Sequence, residues 1–318
     1  MLLSVDEING EMNAAKHLPV LLDASMEYLC PNRGGLFLDG TFGGGGHTRA
    51  MLESASDVIV FAIDQDPEAQ RRAEVFKEEF GDRFEFYPMN FSELDRVDSS
   101  GFDGVLFDFG LSSFQLDSAE RGFSFRFDAP LDMRMNTNAG VPASTFLETA
   151  SESELIEAVR DFGEESSWRK VVAAILKARG SGVLARTRSF AQLIEETIPS
   201  KGFKRSKIHP ATKTFQGVRI AINQELDAIA KALELAFERL KSGGVLVAIS
   251  FHSLEDRIVK RLFRKLSGRP EHNRDSRLSD QRVALGKMIA TKAIQASEHE
   301  IALNPRSRSA RMRGIQKF

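Results

Sequence analysis

The stretch "LDGTFGGGGHTRAML", residues 38–52, decides how the chain is read. It joins the apolar end of one segment to the helix-like start of another through Gly43, Gly44, Gly45 and Gly46. Four adjacent glycines are costly to order, because each loses more backbone freedom on folding than any other residue. An apolar strand, a glycine turn and a helix, in that order, mark the ligand-binding first unit of an open α/β sheet.

Reading outward supports a sheet. "GLFLD" (35–39), "DVIVFAID" (57–64), "FEFYPMN" (84–90), "FDGVLFDFG" (102–110) and "GVLVAIS" (244–250) are apolar runs without in-out alternation. Strands covered on both faces require that pattern. "PEAQRRAEVFKEEF" reads as a helix opening at Pro67, a favourable first-turn position. From about Ser113 to Thr214 the strand signal stops, and helical spacing takes over in "SESELIEAVRDFGEESSWRKVVAAILKARG" and "SFAQLIEETIP". "QGVRIAINQELDAIAKALELAFERLKSGG" is expected to be one long amphipathic helix ending at Gly243 and Gly244. "LEDRIVKRLFRKL" is another helix, and "KMIATKAIQ" and "SARMRGIQKF" are expected to close the sheet as an antiparallel pair. The expected fold is therefore α/β: a doubly wound, mostly parallel, Rossmann-like sheet with an inserted helical domain. Residues 1–113 and 214–318 would form the sheet domain in two parts, and 114–213 a helical insertion for substrate recognition.

Three ligand classes use a glycine turn at this place. A P-loop needs a lysine after its last glycine, and His47 follows Gly46 instead. The dinucleotide pattern of glycines spaced by one and then two fits no register between Gly40 and Gly46. S-adenosyl-L-methionine remains. Asp39-Gly40-Thr41-Phe42-Gly43-Gly44-Gly45 matches its usual acid followed by spaced glycines, with Thr41 where a glycine is common. Asp64, at the end of the second strand, can accept both hydroxyls of a ribose. Phe91 follows the third strand and is read either as a cover for an adenine face or as core. Asp108 ends the fourth strand, between cofactor and substrate.

The chain has 318 residues, 42% of them hydrophobic, enough for one large domain or a domain with an insertion. Cys30 is the only cysteine, which excludes an internal disulfide and a cysteine-built zinc site. No metal is expected. The apolar runs are too short to span a bilayer, and the first residues show no basic segment followed by an apolar one, so no membrane and a cytoplasmic location are expected. The net charge of −2 hides an asymmetry: residues 1–200 hold 18 Lys+Arg against 34 Asp+Glu, and residues 201–318 hold 25 against 11. Such segregation suits a polyanionic partner, or attraction between the two halves within one fold.

Several longer motifs then carry a resemblance. "LDGTFGGGGHT", "DFGLSSFQLDSAERGFSFRFDAPLDMRM", "HPATKTFQGVRIAINQEL", "ISFHSLEDRIVKRLF" and "NPRSRSARMR" together resemble the bacterial small-subunit (16S) ribosomal RNA cytosine-N4 methyltransferase family. The match spans nearly the whole chain and is weakest over residues 267–300. The resemblance implies S-adenosylmethionine contacts at Gly45, Gly46, His47, Asp64, Phe91, Asp108 and Gln115. It also implies a decoding-region cytidine of ribosomal RNA, or of the assembled small subunit, as substrate, and a homodimer.

The amine on C4 of cytosine is a poor nucleophile, since its lone pair is delocalised into the ring. An acceptor facing it would favour a pyramidal nitrogen and stabilise developing charge. Related amino-methyltransferases carry Asp/Asn-Pro-Pro-aromatic after the fourth strand. Here Asp108-Phe109-Gly110-Leu111-Ser112-Ser113 stands instead, so Asp108, Ser112 and Ser113 are all candidate acceptors. His252 and Ser253, at another strand end, are further catalytic candidates, while Glu255 and Asp256 read as caps of the next helix. RNA contacts are expected from Arg121 and Arg126 in "RGFSFRF", from Lys204, Arg205 and Lys207 in "KGFKRSKIHPATK", and from Arg306 and Arg308. A catalytically silent RNA-binding assembly factor and an NAD-dependent oxidoreductase are the competing readings. The intact acids argue against the first, and the missing dinucleotide fingerprint against the second.

Overall fold

A computed structural model describes residues 18–99, 101–198, 209–272, 275 and 282–318. Lys204, Arg205 and Lys207 lie outside the described residues. Seven strands form one sheet in the order β3-β2-β1-β4-β5-β7-β6. They are β1 (Gly35–Asp39), β2 (Val58–Ile63), β3 (Phe84–Tyr87), β4 (Phe102–Asp108), β5 (Leu240–Ser250), β6 (Gly286–Met288) and β7 (Arg311–Lys317). The first five are parallel, and β7 pairs antiparallel with both β5 and β6. The chain order reverses between β1 and β4, and a crevice opens at the carboxyl ends of strands at such a switch point.

Two cores explain the continuous apolar runs. Leu38, Ile63, Val105, Phe107, Leu246 and Ala248 point to one face and pack against α10 (Glu225–Arg239) and α11 (Ser253–Leu266). Their neighbours Phe37, Val60, Ala62, Leu106, Val247 and Ile249 point to the other face. There they meet α1 (Leu22–Leu29), α2 (Gly46–Ser54) and α3 (Pro67–Phe80). Side chains alternate along each strand, but both faces are buried, so no alternation survives in the sequence. Asp66 caps α3 by accepting from Glu68 N at 3.0 Å, with Pro67 at the first position.

After α4 (Ser113–Asp117) the chain leaves the sheet. It builds α5 (Ala143–Thr149), α6 (Glu152–Ile156), α7 (Trp168–Ala178), α8 (Thr187–Thr197) and α9 (Ala211–Asn223). These helices have their own core, with Leu147, Leu155, Ile175 and Phe190 at its centre. That core also draws on Phe215 and Val218 of α9, beyond the expected boundary at residue 213.

The structure corrects one helix expectation. The long helix over 216–244 is broken at Gln224, whose φ is 51°. Asn223 turns its amide to the insertion, donating to Met133 O and accepting from Met135 N, both at 2.8 Å. These tertiary bonds outweigh helical continuity. The second half ends at Arg239 rather than at the glycines, because Leu240 already pairs with Phe102 and Arg239 O accepts from Gly101 N. The segment 151–180 is helical as expected, in more than one piece. Glu157–Phe162 forms a π-helical turn, with Gly163 N donating to Ala158 O. Backbones meet there: a Cβ on Gly217 would lie 2.0 Å from Ala158 O.

Candidate active site

The glycine turn joins β1 to α2, and its glycines are explained mostly by the protein's own side chains. A Cβ on Gly40 would lie 2.1 Å from the Phe107 ring, one on Gly44 2.7 Å from Phe114, and one on Gly46 2.3 Å from Pro19. Gly45 has φ +77° and would meet Phe76 at 2.4 Å. Only Gly43, with φ +52°, has room: its nearest neighbour would be 3.6 Å away. The run is therefore a packing requirement that also keeps the floor of a cleft bare. Phe114 covers Gly44, and Arg72 lies 4.3 Å from the centre of the Phe114 ring while donating to Gly43 O.

The buried carboxylate of Asp39 ties the turn together. It accepts from Thr41 N at 3.0 Å and from Thr48 Oγ1 at 2.7 Å. Burial pushes its carboxyl above the usual range. Thr41 in turn accepts from Asp108 N at 2.6 Å, which fixes the end of β4 against the turn.

Asp64 stands just beyond β2. Its Oδ2 accepts from Gly43 N at 2.7 Å and its Oδ1 from Asp66 N at 2.9 Å. Each oxygen keeps a second lone pair for a ligand hydroxyl. Burial pushes this carboxyl up to about 6, and the neighbouring Asp66 adds to the shift. His47, at the start of α2, is buried, and burial holds its imidazole down to about 4. Its Nε2 lies 3.1 Å from Val20 O. That carbonyl can only accept, so Nε2 carries the proton and Nδ1 is left with a free lone pair. Nδ1 faces Asp108 Oδ2 at 3.9 Å. Burial, with the charges of Asp39 and Glu255, raises the Asp108 carboxyl well above the usual range. Its Oδ1 is buried and has no hydrogen-bond partner.

These groups share a cleft of about 540 Å³, within the ordinary range for a cofactor site. Gly46, His47, Asp64, Phe91, Asp108, Gln115 and Arg306 line it, as do Ser112 and Ser113. Gly45, His252, Ser253, Arg121, Arg126 and Arg308 do not. Phe91 packs edge-on against Phe107 and Phe109, with centroids at 5.9 and 5.7 Å, so it is core and cleft wall together. Gln115 closes a capping box with Ser112 and donates to Asp66 Oδ2 at 2.8 Å. Ser253 Oγ is exposed and donates to Glu164 at 2.6 Å. His252 caps α11.

Arg121 has a different task from the one expected. Its guanidinium is nearly buried, grips Asp66 at 2.8 Å and donates to the carbonyls of Arg134 and Met135. Those donors are not available to a phosphate. Arg126 and Arg308 are exposed, and Arg306 pairs with Asp117 at 2.7 Å on the rim of the cleft. Sequence reasoning passed over Thr41, Asp66, Arg72 and Phe114. Thr41 did carry a signal, since a hydroxyl stands where glycine is usual.

A doubly wound sheet, a glycine turn and acids with acceptor capacity left over at the ends of β2 and β4 are the parts of a methyltransferase of the S-adenosylmethionine-dependent class. The chain belongs to the MraW methylase family, whose sequence model matches residues 14–318. It is 43% identical over 308 residues to the ribosomal RNA small subunit methyltransferase H of Geobacter sulfurreducens, covering 95% of this chain and 99% of that one. The same-named protein of Rickettsia felis is 42% identical, covering 95% and 98%. A putative methyltransferase from Streptococcus mutans, solved in complex with SAH, aligns with 95% of this chain and 100% of its own. Its TM-score of 0.44 at 10% identity is too distant to add to the assignment. Among the described residues, no helix is long and apolar enough to cross a membrane.

Proposed function

We propose that this protein methylates the exocyclic N4 amine of a cytidine in the decoding region of small-subunit ribosomal RNA. Two relatives spanning nearly the full chain are named for small-subunit ribosomal RNA, which supports the substrate class. The observation that carries the choice of an amine is Asp108. A buried carboxylate oxygen without a donor, at the strand end facing the cleft, is a place for an N–H group.

S-adenosylmethionine, when bound, supplies an electrophilic methyl group. The residues do the rest. Asp64 accepts the ribose hydroxyls, and Phe91 walls the base end. The free Nδ1 of His47 and the backbone around Gly46 take the amino-acid end. Asp108 holds the target amine through a hydrogen bond, which turns the nitrogen lone pair away from the ring. The methyl carbon would pass to that nitrogen, and the electron pair of its bond to sulfur would stay with the donor. The proton lost by the nitrogen passes to Asp108, whose raised proton affinity suits a base. Arg126, Arg306 and Arg308 are proposed to hold RNA phosphates, as are Lys204, Arg205 and Lys207.

The test is chemical. Small-subunit RNA, naked and in assembled subunits, is incubated with the protein and methyl-labelled S-adenosylmethionine, then digested to nucleosides for mass spectrometry. Label in N4-methylcytidine is expected. Label on cytosine C5 or on a ribose oxygen, or no transfer to either form of the RNA, would defeat the reading.

A further inference from the structure

We propose that Glu255 is a positioning residue for methyl transfer: it backs the turn that leaves Asp108, supplies a fixed negative charge beside it, and does so where the inserted helices dock. The inference rests on the proposed role of Asp108.

A glutamate three residues after a helix cap ordinarily serves the cap and stays wet. Glu255 is different, with none of its side chain exposed. One oxygen, Oε2, accepts from Phe251 N at 2.7 Å and from His252 N at 3.2 Å. The other, Oε1, has no hydrogen-bond partner. It lies 3.0 Å from His252 Nε2 and 3.9 Å from where a Cβ on Gly110 would stand. Gly110, with φ +97°, is two residues beyond Asp108. Oε1 therefore sits between the His252 ring and the turn that carries Asp108.

Charged groups from three helices converge behind that turn. Arg219 of α9, the last helix of the insertion's core, grips both oxygens of Glu225 on α10 at 2.7 and 2.8 Å. Glu225 and Gly110 line the same inner cavity of about 30 Å³, roomy enough only for water. Glu255 thus faces Arg219, Glu225 and His252, with Asp108 beyond the turn. Asp108 faces Asp39, His47 and Glu255. Glu225, His252 and Glu255 lie close enough to suggest a metal site. Arg219 already takes both Glu225 oxygens and supplies positive charge, so we assign no metal.

The charges have definite directions. Burial works against a charge on Glu255, but His252, Arg219 and the Phe251 N–H outweigh it and hold the carboxyl below its usual range. Glu255 is therefore an anion at neutral pH. That anion adds to burial and to Asp39 in raising Asp108. A cap alone would have no such effect on the base.

The discriminating variant is Glu255→Gln, which keeps the volume and an acceptor for Phe251 N while removing the charge. At saturating S-adenosylmethionine and small-subunit RNA, the acid limb of the kcat–pH profile should move to lower pH. On the plateau above that limb kcat should fall about tenfold, because a weaker base takes the proton. S-adenosylmethionine affinity should stay within about threefold, since only the transition state loses support. Glu255→Asp, which retains the charge, should return the limb toward its original position. If Glu255→Gln does not fold, Glu255→Asp is read against the wild type: its charge lies farther from the turn, so the limb should sit slightly below the wild-type position. A folded Glu255→Gln protein with unchanged profile and kcat would make Glu255 a helix cap and nothing more. Asp108→Asn separates the two levels: if it retains full turnover the role of Asp108 itself fails, whatever Glu255 does.

Discussion

Replacing Asp64 by Asn tests the cofactor side of the cleft with unequal effects on binding and folding. The carboxylate accepts from Gly43 N and Asp66 N with one oxygen each, leaving two lone pairs for the ribose. Asn keeps the shape but presents an NH₂ to one of those N–H groups and carries no charge. Hydrogen bonds to a charged group are worth about 1.5–3 kcal/mol, so S-adenosylmethionine should bind roughly 10- to 150-fold more weakly. The folded protein without ligand should hardly suffer. Burial raises this carboxyl from 3.8 to about 6, so the folded state binds the proton more tightly than the unfolded state between those values. The ionised side chain thus weakens the fold as pH rises from about 4 to about 6, by ~3 kcal/mol in all. Asn removes that penalty and loses one backbone hydrogen bond worth about 1–3 kcal/mol, so Tm at pH 8 should move by only a few degrees. Calorimetric titration across pH gives a second signature. Wild-type affinity should fall below pH 6, by up to about tenfold per unit as Asp64 takes up its proton, while the variant lacks that dependence. A folded Asp64→Asn protein with wild-type affinity, or one that keeps the fall below pH 6, would remove Asp64 from the ribose site.

The glycine turn can be tested by contrast. Gly45→Ala must place a methyl 2.4 Å from Phe76 at positive φ and should cost more than about 2 kcal/mol in urea unfolding. Gly43→Ala has space and should cost about 1 kcal/mol, chiefly from its backbone conformation; a reversed order would refute the packing account. Arg121→Ala leaves the buried Asp66 without its guanidinium and should destabilise by about 3–5 kcal/mol, with no change in the salt slope of RNA binding; a flattened slope would return Arg121 to the RNA. The exposed pair Arg126→Ala and Arg308→Ala should do the reverse, lowering that slope by about 0.7 per lost phosphate contact at unchanged Tm.

The contrast between Arg121 and Arg126 shows where legibility in the sequence stops. The strands could be read because burial on both faces demands unbroken apolar runs. The ends of β2 and β4 could then be named as candidate ligand sites from topology alone, which pointed to Asp64 and Asp108. Arg121 and Arg126 look alike in "RGFSFRF", yet one is clasped by Asp66, 55 residues earlier in the chain, and the other points to solvent. No local pattern encodes that pairing. The break at Gln224 was hidden for the same reason: the residues around it are good helix formers, and the cause is an asparagine bonding to a loop some 90 residues away. The glycines misled in a subtler way. Their number signals close approach, but the rings that approach come from Phe76, Phe107 and Phe114, which no spacing rule connects to the turn.

Three acids around one cleft with carboxyls above their usual range, Asp39, Asp64 and Asp108, impose a further condition on any ligand. Packing carboxylates together out of water is unfavourable unless protons or cations offset their charge. Asp39 is satisfied by the hydroxyl of Thr48 and the backbone of Thr41, so its role is internal. Asp64 and Asp108 keep capacity facing the cleft, and Asp108 has an oxygen with no donor at all. Hydroxyls at the first and an N–H group at the second would each draw that acid toward the ionised state and release a proton on binding. An anionic ligand would meet the opposite effect, and the missing P-loop lysine agrees with that. His47 fits the same logic: held neutral by burial, with its one proton given to Val20, it adds an acceptor rather than a competing cation. The arrangement thus suits hydroxyls at Asp64 and an N–H group at Asp108, which the proposed methyl donor and the proposed target amine would supply in turn.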